Sequence, residues 1–272
     1  MVKRRLIATL LTRNGRIVQS KNFKHTNVIG NAVTAVDFFN TWAVDEIVIL
    51  DVSRDTNYRK SFFEMIEKLS DRCFVPLTVG GWITSIDDIR GLLKIGADKV
   101  VINTKAVREP TFVREAADTF GTQCIVVSLD VKKEDGGDYR VYVDRASEET
   151  KYTLEECALL MQQNGAGEIY LTSIDRDGLL GGYDIEALEK VTKALDIPVI
   201  ASGGVGKWEH LVAGVNEGHA MAVSAANIFH FTEHSTKVAK EFMVEAGLDV
   251  RETVYFRVGH LRKPTYEMNY RV

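Results

Sequence analysis

Short, almost uninterrupted apolar runs recur along the 272-residue chain, at Leu6–Leu11, Ile47–Leu50, Val75–Val79, Val100–Ile102, Ile125–Leu129, Ile169–Thr172, Val199–Ala201 and Ala222–Ala225. They are dominated by Val, Ile and Leu with little polar alternation, the pattern of parallel strands buried on both faces. Between them lie stretches with helical spacing. Phe62, Met65, Ile66 and Leu69 fall on one face of Ser61–Arg72, and Ile89, Leu92 and Leu93 do the same within Asp87–Ile95. Eight strands alternating with helices predict a closed α/β barrel or a doubly wound sheet.

The residues that follow the runs favour the barrel. Starting at Leu11, the successive gaps to Asp51, then Gly80, then Asn103 are 40, 29 and 23 residues, and starting at Asp130 the successive gaps to Asp175, then Gly203, then Asn227 are 45, 28 and 24. Pro76-Leu77-Thr78-Val79-Gly80-Gly81 is echoed by Pro198-Val199-Ile200-Ala201-Ser202-Gly203-Gly204. Two similar four-strand halves close naturally into a (β/α)8 TIM barrel. The barrel is placed at residues 1–252, and the charged segment Lys132–Asp138 reads as a βα loop within it. Residues 253–272 carry Tyr255, Phe256, Tyr266 and Tyr270 among basic residues. Their composition fits an ordered arm and a flexible end equally.

Composition changes this picture little. The net charge of −4 and pI of about 5.9 argue against a broad nucleic-acid or membrane surface. Cys73, Cys124 and Cys157 are odd in number and far apart, with no CxxC or His/Cys cluster. No metal site is indicated, and a reduced cytoplasmic setting is the simplest reading. Lys3, Arg4 and Arg5 before Leu6-Ile7-Ala8 imitate the start of a signal peptide, but Thr9 and Arg13 cut the apolar run short, so a first strand is expected there.

Candidate chemistry lies after the strands. Gly80-Gly81, Gly178 and Gly203-Gly204 are placed where backbone N–H groups can receive an anion, and a phosphate site is expected at Ser202-Gly203-Gly204 and Ala225-Ala226-Asn227, after strands 7 and 8. Asp51, Asp130, Asp175 and Asp177 follow strands 2, 5 and 6 and are candidate acids or bases, Asp130 foremost because it ends an apolar strand directly. At the opposite strand ends stand Arg5, Glu46, Lys99 and Glu168, which form a ring of alternating charge if they point inward. Pattern alone reads them as a stabilising bottom face. The histidines show no ligand spacing, and His230 between two phenylalanines reads as packed.

Together these segments resemble the cyclase subunit of imidazole glycerol phosphate synthase, the HisF family, over roughly residues 4–251. The resemblance is carried by Val79-Gly80-Gly81, Gly96-Ala97-Asp98-Lys99-Val100, Ile102-Asn103-Thr104, Thr172-Ser173-Ile174-Asp175-Arg176-Asp177-Gly178, Ile200-Ala201-Ser202-Gly203-Gly204 and Phe229-His230-Phe231. It implies a half-barrel-repeat (β/α)8 fold. It also implies a glutaminase partner on the N-terminal face that feeds ammonia through the barrel, a small phosphorylated substrate, and no cofactor or metal. Arg5, Glu46, Lys99 and Glu168 match the family's ammonia gate, which overturns the stabilising-face reading, and Asp98 matches a glutaminase contact. Asp130 matches one of two catalytic aspartates. Asp51, Gly81, Asn103, Thr104, Thr172, Asp177, Gly178, Ser202, Gly203, Gly204, Ala226 and Asn227 fall at substrate- and phosphate-binding positions.

The upper face departs from the family. Leu11 stands where the other catalytic aspartate belongs, Gln19 where the family has a lysine, Trp82 where it has a third loop glycine, and Asn227 where it has a serine. The sequence therefore resembles a divergent HisF paralogue of the kind that works in surface-polysaccharide synthesis with a glutaminase and an ATP-using sugar amidotransferase. Such paralogues convert an acetamido into an acetamidino group. The alternatives are an authentic cyclase of histidine biosynthesis and a non-catalytic ammonia conduit or scaffold.

Overall fold

The computed structural model describes residues 3–41, 44–230 and 235–251. The tail assigned to 253–272 lies outside these, as do Phe231, His234 and the last residue of the expected barrel span.

In chain order, β1 (Arg5–Arg13) leads into a hairpin of β2 (Arg16–Lys21) and β3 (Lys24–Gly30), followed by α1 (Ala32–Thr41). Then come β4 (Glu46–Asp51), α2 (Tyr58–Ser70), β5 (Leu77–Gly80), α3 (Ile86–Lys94), β6 (Lys99–Ile102), α4 (Thr104–Arg108) and α5 (Pro110–Phe120). The second half opens with β7 (Ile125–Lys133), again followed by a hairpin, β8 (Tyr139–Val143) and β9 (Glu148–Thr153). It closes with α6 (Leu154–Gln163), β10 (Glu168–Ser173), α7 (Ile185–Ala194), β11 (Val199–Ser202), α8 (Trp208–Asn216), β12 (Ala222–Ala225) and α9 (Ser235–Glu245).

Eight strands pair in parallel in the order β1-β4-β5-β6-β7-β10-β11-β12, and β12 returns to β1 through Leu6↔Val223, so the sheet closes. The barrel is thus a (β/α)8 fold, and β1 and β7 stand on opposite walls. Strand side chains alternate between the two faces. Leu6, Ala8 and Leu10 join the core under the helices, while Ile7, Val48, Val101, Val126, Tyr170, Ile200 and Ala222 form a separate cluster inside the barrel. The inward file on β1 is therefore Arg5, Ile7, Thr9 and Leu11; on β7 it is Val126, Ser128 and Asp130.

Four strands were not anticipated. Asn14 (φ +52) and Gly15 (φ +74) make the left-handed pair of a tight hairpin turn, for which Asn-Gly is the preferred sequence. Lys132–Asp138 is not a simple βα loop. Lys132 and Lys133 end β7 and pair antiparallel with Arg140 and Tyr139. Tyr139–Val143 alternates buried and half-buried positions, as a strand should. Each half-barrel thus carries a hairpin after its first strand. Smaller shifts have local causes. β5 begins after Pro76, which has no N–H for the ladder. α3 begins at Ile86 because Ser85 and Asp88 form a capping box.

At the N-terminal end of the barrel, the buried Asp45 carboxylate accepts the Leu6 N–H at 2.8 Å and Lys240 Nζ of α9 at 2.6 Å, which ties the last described helix to the first strands. His230 packs with its ring 6.2 Å from that of Phe39, and burial lowers its pKa, as a packed neutral histidine requires. Among the described residues no helix is long and apolar enough to cross a membrane.

Candidate active site

The C-terminal strand ends surround a cavity of about 420 Å³. Leu11 and Asp130 approach it from opposite walls. Asp51, Gly81, Asn103, Thr104, Thr172, Asp177, Gly178, Ser202, Gly203, Gly204, Ala226 and Asn227 all line it too. Asp175 does not; its carboxylate accepts the Lys133 N–H at 3.0 Å and pins the end of β7. Gln19 also lies off the cavity, accepting from Asn27 Nδ2 across the first hairpin at 3.1 Å.

Asp130 is buried. It accepts Ser128 Oγ–H on one oxygen and Asn103 Nδ2–H on the other, both at 3.2 Å. Burial is the dominant influence and, with the negative charge of Asp177, pushes its carboxyl up to about 7 against the bonds from Ser128 and Asn103. A group near neutrality can both take and give a proton at working pH. The same shift has a stability consequence. A carboxyl raised in the fold contributes fully below its unfolded pKa and loses that contribution as pH rises through the folded one. From the usual aspartate value of ~4 up to about 7, the parent is expected to lose stability relative to Asp130→Asn. Urea midpoints across this range check it; a difference that does not change with pH would refute the assignment.

Asp51 is not a free base. Its carboxylate accepts Thr12 Oγ1–H (2.9 Å), the Ser53 N–H (2.9 Å) and Trp82 Nε1–H (3.0 Å). Trp82 holds a left-handed conformation (φ +63) where a glycine would be at ease, and its indole is tied to Asp51. Asp177 is likewise committed, accepting Ser20 Oγ–H at 2.5 Å and the Phe23 N–H at 3.0 Å, so it docks the first hairpin over the cavity. Gly178 is required by the same contact, because a Cβ there would lie 2.2 Å from the Ser20 carbonyl oxygen. A Cβ on Gly204 (φ +97) would likewise lie 2.2 Å from the Gly182 carbonyl oxygen. Tight chain packing therefore demands both glycines, independent of any anion.

The cavity floor holds a hydroxyl cluster that pattern reading missed. Thr9 meets Ser224 at 2.6 Å and Tyr170 at 2.8 Å, Tyr170 meets Ser224 at 3.0 Å, and Ser202 donates to Tyr170 at 2.9 Å. The available signal was an isolated hydroxyl residue in or directly after an apolar run: Thr9, Tyr170, Ser202 and Ser224.

Below that floor and the apolar layer lies the charged ring. Arg5 bridges Glu46 (2.6 Å) and Glu168 (2.7 Å), and Lys99 bridges the same two carboxylates at 3.1 and 2.9 Å. Thr78 Oγ1 donates to Glu46 at 2.7 Å. Burial opposes the charge on Glu168, but the bonds and charges of Arg5 and Lys99 outweigh it and hold its carboxyl below the usual range. Asp98 is exposed beside this ring, its carboxylate fixed by the Leu77 N–H at 2.8 Å.

A closed eight-stranded parallel barrel with a cavity at its C-terminal end and an internal charged ring at the other is a (β/α)8 barrel of the TIM type with its candidate site where such barrels carry theirs. The sequence matches the histidine biosynthesis protein family over residues 5–235, and the chain belongs to that family. A Vibrio vulnificus (strain YJ016) protein provisionally named imidazole glycerol phosphate synthase subunit hisF2 is 46% identical over 251 residues, 92% of each chain. The chain is a HisF-type barrel.

Proposed function

We propose that this chain is the ammonia-accepting synthase subunit of a glutamine amidotransferase complex, serving acetamido-to-acetamidino modification of a surface-polysaccharide sugar alongside an ATP-using amidotransferase. The observation that carries the reading is a complete charged ring at the barrel floor beneath an upper site in which Leu11 stands opposite Asp130. Neutral ammonia released by a glutaminase on the N-terminal face passes the ring and the apolar layer of Ile7, Val48, Val101, Val126 and Ile200. Ammonium would have to shed its hydration there at a large cost. The hydroxyls of Thr9, Tyr170, Ser202 and Ser224 accept its N–H groups and donate to its lone pair at the cavity floor. Asp130 exchanges the proton of the addition.

The name of the Vibrio relative favours a second reading, the cyclase of histidine biosynthesis. A conduit without chemistry is the third, distinguished by whether Asp130→Asn abolishes product formation. The partner is the first test. A 1:1 complex with a glutaminase of the same genome is expected by size-exclusion and calorimetric titration, and Asp98→Lys is expected to abolish it. Binding to no such glutaminase, or binding indifferent to the charge reversal, would sink the ammonia reading.

A further inference from the structure

The three cations that line the cavity among the described residues, Arg54, Lys105 and Arg145, all lie on the first-half side of the rim. The opposite rim, at Gly178, Gly203-Gly204 and Ala226-Asn227, carries no cationic side chain among the described residues. Lys105 is already answered by Glu109 at 2.6 Å. The two arginines are different.

Arg145 sits at the tip of the β8–β9 hairpin, in a run of three non-glycine residues with left-handed backbone, Asp144 (φ +48), Arg145 (φ +58) and Ala146 (φ +61). Strain of this kind persists where surrounding structure enforces it, and it clusters at ligand clamps. Here the enforcement is visible. The Asp144 N–H bonds Thr104 Oγ1 at 3.0 Å, which seats the tip on α4. The Arg145 guanidinium reaches across the rim to the carbonyls of Val52 (3.3 Å) and Ser53 (3.0 Å), and to Asp144 Oδ1 at 2.7 Å. Three of its five donors are thereby anchored, so the fork is fixed in place, and two are left over. Arg54 follows Ser53 directly, lines the same cavity and makes no hydrogen bond or ion pair among the described residues. Arg145 bonds the carbonyl of Ser53, the residue before Arg54, so the two arginines share one stretch of the rim, and the charge of Arg54 helps the Arg145 bond to hold the Asp144 carboxyl low.

We propose that Arg54 and Arg145 form an anion clamp that receives a second anionic group of the substrate, an oxyanion with two adjacent oxygens, from either a phosphate or a carboxylate. A fixed guanidinium matches that geometry with paired donors. Trp82 gives the clamp its reason. Its indole is bound to Asp51 beside the Gly81 turn, so an anion on this side is held by side chains at the rim and not by the loop backbone. The inference deepens the proposed function and rests on the reading that this cavity is the substrate site, but it needs neither ammonia nor a glutaminase.

Equilibrium dialysis of the full chain against radiolabelled inorganic phosphate tests it. Two phosphates per chain are expected for the parent, and one for Arg54→Ala/Arg145→Ala, with the lost site weakened at least ~10-fold, the equivalent of 1.4 kcal/mol. Arg145→Ala loosens the hairpin, so Arg54→Ala alone is the second variant. Its side chain holds no other described group, its melting temperature is expected to be unchanged, and one of the two sites is expected to weaken. Malonate is then titrated against bound phosphate. Displacement from the arginine site alone assigns a carboxylate as the natural group, and no displacement assigns a phosphate. One phosphate in the parent, or two undiminished in both variants, overturns the clamp. A chain that binds no glutaminase yet loses one phosphate in this series leaves the clamp standing and the ammonia reading fallen.

Discussion

Turnover of the bisphosphate intermediate of histidine synthesis with ammonium is expected to be at least ~10²-fold slower than in a cyclase with two catalytic aspartates, the low end of what one positioned acid–base group contributes. Leu11 ends the inward file of β1, and Asp130 that of β7, on the opposite wall. Leucine moves no proton. Asp51 cannot stand in, because Thr12, Ser53 and Trp82 already hold its carboxylate. Leu11→Asp alone is expected to restore little while Trp82 fills the loop and Gln19 offers no charge. Adding Trp82→Gly relieves the left-handed backbone and releases Asp51, and adding Gln19→Lys supplies the missing cation. The triple change is expected to exceed the sum of the single ones, since Leu11→Asp supplies the chemistry, Trp82→Gly opens the loop to the substrate and Gln19→Lys adds a positive charge on the hairpin that Asp177 docks over the cavity. Steady-state kinetics on the parent, the single variants and the combination decide it. A parent that turns over like an ordinary histidine-pathway cyclase would transfer the assignment to the second reading.

The strands were legible because they must be buried on both faces, which leaves near-continuous apolar runs, and the repeat in their spacing favoured the barrel over a doubly wound sheet. The halves were legible from spacing, since every marked run after the first, which ends in Leu11, is followed by a polar or glycine residue at the C-terminal end of the barrel. The hairpins were not, although Asn14-Gly15 is a strong turn signal. β2 is short and ends in exposed charged residues, β9 is almost wholly polar, and charged Lys132, Lys133 and Glu134 before β8 read as a loop. The cavity residues were found by position after strands, but position does not reveal occupation. Asp51, Asp177 and Gly178 turned out to be held by the chain itself, facts that depend on partners 39, 157 and 158 residues away. Arg145 was invisible for the same reason, since a hairpin tip acquires its role only when it reaches a loop 92 residues distant.

The charged ring gives the largest stability effect expected of any single substitution here, and the sign of its full removal separates stability from function. Glu46 is 1% exposed and holds Arg5, Lys99 and Thr78 at once. Glu46→Ala leaves two cations sharing Glu168 in a largely enclosed space. Breaking a buried pair in this way costs about 3–5 kcal/mol, which at roughly 2–4 °C per kcal/mol for a chain of this size lowers Tm by roughly 6–20 °C. Replacing every member together, with Arg5→Met, Glu46→Leu, Thr78→Val, Lys99→Met and Glu168→Leu, removes the charges and their desolvation penalty at once. Such replacements are commonly neutral or stabilising, by about 1–4 kcal/mol. A chain that keeps its Tm after losing the whole ring, yet no longer passes glutamine-derived nitrogen while still using added ammonium, has kept the ring for transport. Calorimetric Tm and the ratio of glutamine-fed to ammonium-fed product in the glutaminase complex are the two measurements. If the apolar variant melts far below the parent with that ratio unchanged, the ring is a structural floor and the gate assignment fails.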